Sequence, residues 1–341
     1  MGAGMLLIAV EDVAGKRAAQ KLVEQSVRAT LPSRGRRNIG FPSGNRDEVI
    51  YSRGTGKLWC AFGDGEDAAI PRTWNAFGVY DDARRTQMIT VEVNIPTKSN
   101  SASVAGFFAR DPATGAVYLM HDGGVGGGKA GVGQAAFLAW SRSELLEVER
   151  AQRGPREGIL IGRVDSRDLA SRLWRYVQLV RTFKDAVKDG LLDSEPIRRQ
   201  LAEWKDYRRE GSGRRKGRRR AEIDYISYHG DVVDLLKIER ERSLAKGERI
   251  LNSPLIDLYV RSGKAMTELY EVKTSVGRQS IYTGIGQLLA HSHKGDPGIR
   301  KFLVLPEGEL PDGLEDCVTA LGIVLRRYRL RAGAVPKLAL L

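Results

Sequence analysis

The segment Leu255 to Val260 (LIDLYV) is an apolar run interrupted by one carboxylate, Asp257. Beyond a short turn at 261–264 (RSGK), the segment Leu269 to Thr274 (LYEVKT) carries Glu271 and Lys273 two positions apart. In a strand that spacing puts Glu271 and Lys273 on one face, with Tyr270 and Val272 on the other. The short turn makes the two strands antiparallel neighbours, which brings Asp257 beside Glu271. Two carboxylates on a mostly apolar sheet are costly unless a positive charge stands between them. A divalent ion held by oxygen ligands meets that need. Lys273 alongside can orient or deprotonate an attacking water, or offset charge on a scissile phosphate. A bare E-x-K is a common surface ion pair. An Asp inside one apolar strand, a turn, and then E-V-K inside a second is a far more specific arrangement.

The surrounding elements have a simple order. A helix is predicted over 231–246, strands over 254–260 and 267–274, a helix over 279–293 and a strand over 300–305 (RKFLVL). A helix over 312–321 and a strand over 323–329 (IVLRRYR) follow. This α-β-β-α-β-α-β order predicts a mixed sheet with flanking helices, an α/β arrangement. On the helix at 279–293, Ile281, Ile285, Leu288 and Leu289 form the expected core stripe, while Thr283, Gln287 and His291 share a different face.

On these residues the chain resembles the PD-(D/E)XK nuclease superfamily, with its restriction-endonuclease-like fold. The matching residues are Asp257 for the first acid and Glu271 to Thr274 for the E-x-K strand, with Gln287 on the helix that follows. The resemblance covers roughly residues 226–330. It implies metal-dependent cleavage of phosphodiester bonds, with Asp257, Glu271 and the backbone carbonyl of Val272 as ligands of Mg2+, for which Mn2+ would substitute. It also implies that Gln287 leans over the metal site or touches the DNA backbone. Many members carry a Glu on the first core helix. Here the helix start (YHGD, 228–231) offers His229 or Asp231 instead, and His229 is the preferred candidate.

Charge agrees with a polyanionic partner. The formal net charge of the 341 residues is +13, whereas apolar content (42%) and charged content (28%) are ordinary for a globular protein. The stretch 211–220 (GSGRRKGRRR) has no apolar residue to bury and reads as an exposed linker over 211–224. Its Arg214, Arg215, Lys216, Arg218, Arg219 and Arg220 are candidate phosphate contacts, since cations held so close repel one another without a polyanion. The two cysteines, Cys60 and Cys317, stand in no metal-ligand spacing and are expected to be reduced. The short apolar run near the start lacks a basic region before it, and no run approaches a membrane span. A cytoplasmic protein with no membrane partner is the expectation.

Residues 1–210 read as a β-rich α+β domain that ends in helices. MLLIAV (5–10) suggests a strand and 15–29 an amphipathic helix with Ala18, Leu22, Val23 and Val27 near one face. Six short runs between 48 and 122 are rich in branched and aromatic residues and bounded by turn formers. Asp111 to Gly115 (DPATG) predicts a hairpin turn, and 165–209 a helical stretch with Leu169, Leu173, Tyr176, Val177 and Val180 on its apolar stripe. Trp59, Phe62, Trp74, Phe77 and Tyr80 crowd into a short β-rich span. They form either a β core or a pocket in which a flipped or modified base stacks, with Trp59, Trp74, Phe77 and Tyr80 as its candidate lining. The run Gly123 to Lys129 (GGVGGGK) matches a phosphate-binding loop as far as its lysine. Ala130 replaces the Ser or Thr that would hold magnesium, and no convincing helix follows, so a flexible glycine loop is the expectation.

Together these features predict a two-domain enzyme, with domains at 1–210 and 225–341. It would be a DNA endonuclease of restriction or antiphage-defence type whose N-terminal domain selects modified or unmodified DNA. Cutting both strands at once requires two active sites, so a homodimer is expected. Three other readings are a structure-specific repair or recombination nuclease, a defence nuclease activated by a small nucleotide, and a non-catalytic DNA-binding module.

Overall fold

The β-forming runs between residues 48 and 122 are strands, distributed over two sheets. The computed structural model describes residues 7–41, 44–65, 69–127, 131–141, 143, 145–151, 153–193, 195, 198, 228–253, 256–293, 298–331 and 337–341. It is a mixed α+β structure with six helices and several sheets among those residues. The chain divides into two compact units, Met1–Arg218 and Arg219–Leu341.

The N-terminal unit begins with β1 (Leu7–Ala9) and α1 (Val13–Arg28). Asp12 caps α1, its carboxylate accepting the Gly15 N–H at 2.5 Å. The helix is rotated from the expected face. Its buried residues are Lys16, Ala19, Gln20, Val23 and Val27, whereas Ala18 and Leu22 are exposed. The rotation is tolerated because the buried polar groups are satisfied. Gln20 and Asn75 exchange amide hydrogen bonds at 2.7 and 3.2 Å, and Lys16 Nζ donates to Ser99 O at 2.8 Å.

Strands β2 (Ser33–Phe41), β3 (Gly44–Ser52), β4 (Leu58–Gly65), β5 (Arg72–Val79), β6 (Thr86–Met88) and β7 (Val91–Glu92) lie in the order β6-β2-β3-β4-β5-β7, and β8 (Ile95–Pro96) also pairs with β5. Strand β2 (SRGRRNIGF) was not foreseen, because its polar half carries no strand-like alternation. Strands β9 (Gly106–Arg110), β10 (Val117–His121), β11 (Leu146–Glu149) and β12 (Arg156–Arg163) close a barrel with β1, ordered β1-β11-β12-β10-β9. The hairpin predicted at Asp111 to Gly115 joins β9 to β10. There the Asp111 carboxylate accepts the Ala113 N–H at 2.8 Å and Gly115 takes a φ of 73°.

After the glycine-rich loop comes a helix, α2 (Gln134–Ser141), contrary to the sequence expectation. Its Phe137, Leu138 and Trp140 are buried, so tertiary packing supplies what local sequence does not. Helix α3 (Leu169–Lys188) buries the predicted stripe of Leu169, Leu173, Tyr176, Val177 and Val180. Cys60 is buried and Cys317 exposed, and both are free.

In the C-terminal unit, α4 (His229–Glu241), β13 (Glu248–Ser253), β14 (Ile256–Ser262) and β15 (Ala265–Val272) are followed by α5 (Arg278–Ser292), β16 (Arg300–Pro306), α6 (Leu314–Ala320), β17 (Ile323–Arg331) and β18 (Lys337–Leu340). The six strands lie in chain order, β13 to β18. The pairs β15–β16 and β16–β17 are parallel and the others antiparallel. Edge strands β13 and β18 were not expected. Each has one neighbour, so it needs less apolar sequence than a central strand.

Two apolar layers enclose this sheet. On one face Val232 and Leu236 of α4 pack with Leu258, Val260, Tyr270, Val272, Phe302 and Tyr328. On the other, Ile281, Ile285 and Leu288 of α5 and Val318 of α6 pack with Leu269, Leu303 and Leu305. Leu289, expected in this stripe, is 37% exposed. Gly284 occupies the buried side of α5 in its place.

Candidate active site

Strands β14 and β15 pair with Leu258 opposite Tyr270 and Tyr259 opposite Leu269. The same count sets Asp257 opposite Glu271. The Asp257 carboxylate is engaged on both sides: Oδ2 accepts the Val272 N–H at 2.8 Å, and Oδ1 lies 3.3 Å from His229 Nε2. His229 is the first residue of α4, two residues earlier than the predicted helix start, and this places its imidazole at the start of β14.

Glu271 is buried, with 5% of its side chain exposed. Lys273, one residue past β15, donates from Nζ to Glu271 Oε1 at 2.6 Å and to Gln287 Oε1 of α5 at 2.6 Å. Its main chain is fixed too. Lys273 N–H donates to Val304 O at 2.9 Å, and the Tyr328 hydroxyl donates to Lys273 O at 3.2 Å. Tyr328 is fully buried. Asp257, Glu271, Lys273, Gln287 and His229 therefore meet in one cluster where the start of β14 adjoins the end of β15.

A second glutamate of β15 provides a contrast. Glu268 lies on the α4 face, where Arg240 Nε (2.8 Å), Arg300 (3.1 Å) and the Tyr270 hydroxyl (2.8 Å) all donate to it. That carboxylate is saturated and structural. Glu271 has the Lys273 ammonium on one oxygen and a second carboxylate, Asp257, across the ladder.

Electrostatics follow from this difference. Burial and the neighbouring Asp257 charge push the Glu271 carboxyl up to about 7, although Lys273 opposes the shift. At Asp257 burial also disfavours the charge. The His229 imidazole and the Val272 N–H outweigh burial and hold that carboxyl below the ordinary aspartate value. The same contact raises His229 above its ordinary value against the effect of burial.

These groups suit a divalent cation. Two adjacent carboxylates, one of them disfavoured as an anion by burial and by the charge of the other, are hard oxygen donors. The carbonyl of Val272 at the end of β15 is a third oxygen of the same type. Among the described residues no three His, Cys, Asp or Glu side chains are grouped as metal ligands, so main-chain oxygen and water would have to complete the shell.

Other candidates fall elsewhere. Asp231 lies in the first turn of α4. The candidate base pocket is not a single lining. Trp59, Trp74 and Tyr80 are buried on one face of the seven-stranded sheet and Phe77 on the other, because alternate strand residues point opposite ways. All four are core side chains, at most 7% exposed. The basic run with Arg214, Arg215, Lys216, Arg218, Arg219 and Arg220 lies outside the described residues, as does Lys129.

Two contributors were missed in the sequence. Tyr328 sits in an arginine-rich strand and gave no sign that its hydroxyl supports Lys273. Gly284 gave one: a glycine inside a helix costs stability and needs a reason. A Cβ there would stand 2.6 Å from Leu303 Cδ1 and 3.4 Å from the Cγ and Cε atoms of Lys273. The glycine is what lets the lysine stem lie against α5. Compared with protein-family models, curated proteins and solved structures, the chain matches none.

Proposed function

We propose that the C-terminal unit is a metal-dependent DNA endonuclease of the PD-(D/E)XK type, with a restriction-endonuclease-like fold. The observation that carries this reading is the cluster of Asp257, Glu271 and Lys273 at adjoining strand ends, with Lys273 braced by Gln287. Asp257, Glu271 and the Val272 carbonyl would hold Mg2+ or Mn2+. When bound, the cation supplies fixed positive charge to the phosphate and acidifies nearby water.

Hydrolysis forms a P–O bond from water and breaks the one to the leaving sugar oxygen. Water must lose a proton and the leaving oxygen must gain one. Lys273 is the residue placed to orient the water and to offset charge on the phosphate. Glu271, whose carboxyl is pushed up to about 7 by burial and the Asp257 charge, would be held as the carboxylate by a bound cation. The water's proton would then pass to solvent, and the leaving oxygen would regain one from solvent. Gln287 holds the ammonium toward Glu271 and away from free rotation. His229 orients Asp257 through Oδ1. Substrate selection, including any preference for modified DNA, is assigned to the N-terminal unit, and cutting of both strands to a homodimer. Among the described residues no helix is long and apolar enough to cross a membrane.

The test is cleavage of plasmid and phage DNA, modified and unmodified, with Mg2+ and then with EDTA. Wild type should cut only with the metal, and Lys273→Ala should not cut. Equal cleavage by both proteins would place the active site elsewhere.

A further inference from the structure

Residues 33–53 carry five arginines against two carboxylates, Asp47 and Glu48. Strands β2 and β3 pair from Ser33 opposite Tyr51 to Phe41 opposite Gly44, with the register shifting between Ser33 and Arg36, where Gly35 takes a φ of 69°. Strand β4 joins β3 only at Tyr51 and Ser52. On the other side β6 covers Asn38 to Gly40 of β2. Most of β3 is therefore the open edge of a two-stranded ribbon.

Cations occupy both faces of that ribbon. Arg37, opposite Glu48, and Arg46, opposite Ile39, share one face, while Arg36, opposite Val49, lies on the other. All three are exposed. The hydrogen bonds of Arg36 and Arg37 fix them without neutralising them. Arg36 donates to the Asp47 carbonyl at 3.1 Å, Arg37 to the Arg36 carbonyl at 3.3 Å, and the less exposed Arg34 to the Ser52 carbonyl at 3.0 Å. Arg46 lies 3.6 Å from Glu48, with its guanidinium 5.8 Å above the Trp74 ring. Elsewhere in this unit arginines such as Arg28, Arg156 and Arg172 close on carboxylates at 3.0 Å or less. Among the described residues Arg34, Arg36 and Arg37 have no such partner.

We infer that the β2–β3 ribbon is the duplex-DNA contact of the N-terminal unit, with Arg36, Arg37 and Arg46 bonding phosphates. Guanidinium groups match phosphate oxygens in pairs, and their crowding is relieved only by a polyanion. A two-stranded ribbon fits the major groove of B-form DNA, whereas that of duplex RNA is too narrow. The choice of DNA among polyanions rests on the nuclease reading of the C-terminal unit.

The test measures binding of the full chain to a short fluorescent duplex across a salt series, in EDTA so that cleavage does not enter. Replacing the three arginines together, R36Q/R37Q/R46Q, should weaken binding at least tenfold. It should also lower the slope of log affinity against log salt by about two to three, at roughly 0.9 per phosphate contact. R36K/R37K/R46K should keep most of that slope, and the melting curve of each variant shows whether the fold is intact. Wild-type affinity and slope in the glutamine variant would overturn the inference. So would duplex RNA bound as tightly as DNA and lost in parallel. If wild type never cuts DNA yet binds it through these arginines, the nuclease reading fails and the ribbon stands. If it cuts while the glutamine variant binds unaltered, the ribbon alone fails.

Discussion

His229 Nε2 lies 3.3 Å from Asp257 Oδ1, which ties the first turn of α4 to the start of β14. The contact raises the histidine and lowers the aspartate, so the two sign their contributions differently. Stabilisation from His229 is complete below its ordinary value of 6.5 and is lost as pH rises through its raised value. That from Asp257 is present above the ordinary 3.8 and is lost as pH falls through its lowered value. With 40% of the His229 side chain exposed, solvent screens the pair and the effect is small. His229→Ala should cost more melting temperature at pH 5.5 than at pH 9. An equal loss at both would mean that no charged contact is made.

Lys273 is held by two oxygens and its removal strands one of them. Lys273→Met keeps the apolar stem but leaves Glu271 buried without its cation, at a cost of about 1–3 kcal/mol where Glu271 is ionised. Cleavage in single turnover should fall by roughly a thousandfold or more, as when a group acting on the reacting phosphate is lost. Gln287→Ala removes only the brace and should cost about tenfold to a hundredfold. DNA affinity in EDTA should stay within about twofold of wild type for both. A Gln287→Ala enzyme that cuts at the wild-type rate would show that the brace does not matter to the reaction.

The centre of the C-terminal unit was legible because its signals are local. An Asp in one apolar strand, a four-residue turn, and Glu and Lys at period two fix both register and face before any packing is known. The edge strands β13 and β18 lacked such marks, since an edge strand makes half the contacts and tolerates polar sequence. Helix α1 was recognised with Val23 and Val27 rightly inside, but Ala18 and Leu22 were set on the buried face, which Lys16, Ala19 and Gln20 complete instead. No periodicity can show that Gln20 has Asn75 waiting inside. The aromatic span was legible only as a choice. Clustering in sequence left a β core and a pocket both open, and strand alternation, which buries Phe77 away from Trp59 and Trp74, makes these side chains core. Strand β2 was overlooked because exposed arginines mask its pairing.

Gly284 tests how tightly the lysine stem is seated. In an unconstrained helix Gly→Ala stabilises by up to about 1 kcal/mol. Here the added Cβ would meet Leu303 Cδ1 at 2.6 Å, and Leu303 is fully buried and cannot swing aside. Gly284→Ala should therefore destabilise by about 1–3 kcal/mol, the range for overpacking a close-packed core. By shifting α5 against Lys273 it should also slow cleavage more than it weakens DNA binding. A variant more stable than wild type and fully active would mean that α5 stands further from the lysine than 3.4 Å.

Glu271 should set the balance between stability and metal binding. Its carboxyl ordinarily loses its proton near 4.5 but does so near 7 in the folded chain. A raised carboxylate works against folding: the unfolded chain releases the proton first, so stability falls as pH climbs from 4.5 toward 7 and stays lowered above. At 1.36 kcal/mol per pH unit between 4.5 and about 7 the penalty is on the order of 3–4 kcal/mol above neutrality. Glu271→Gln removes the charge while keeping the shape. In metal-free buffer it should melt higher than wild type at pH 8, and the gap should shrink toward pH 5. Adding Mg2+ or Mn2+ at pH 8 should raise wild type by mass action, about 2.7 kcal/mol at a hundred times Kd, and leave the variant nearly unmoved. If the gap does not change with pH, the Glu271 charge is not strained in the folded state. If metal stabilises both proteins alike, it binds away from Asp257 and Glu271, and the assignment of these carboxylates as ligands falls.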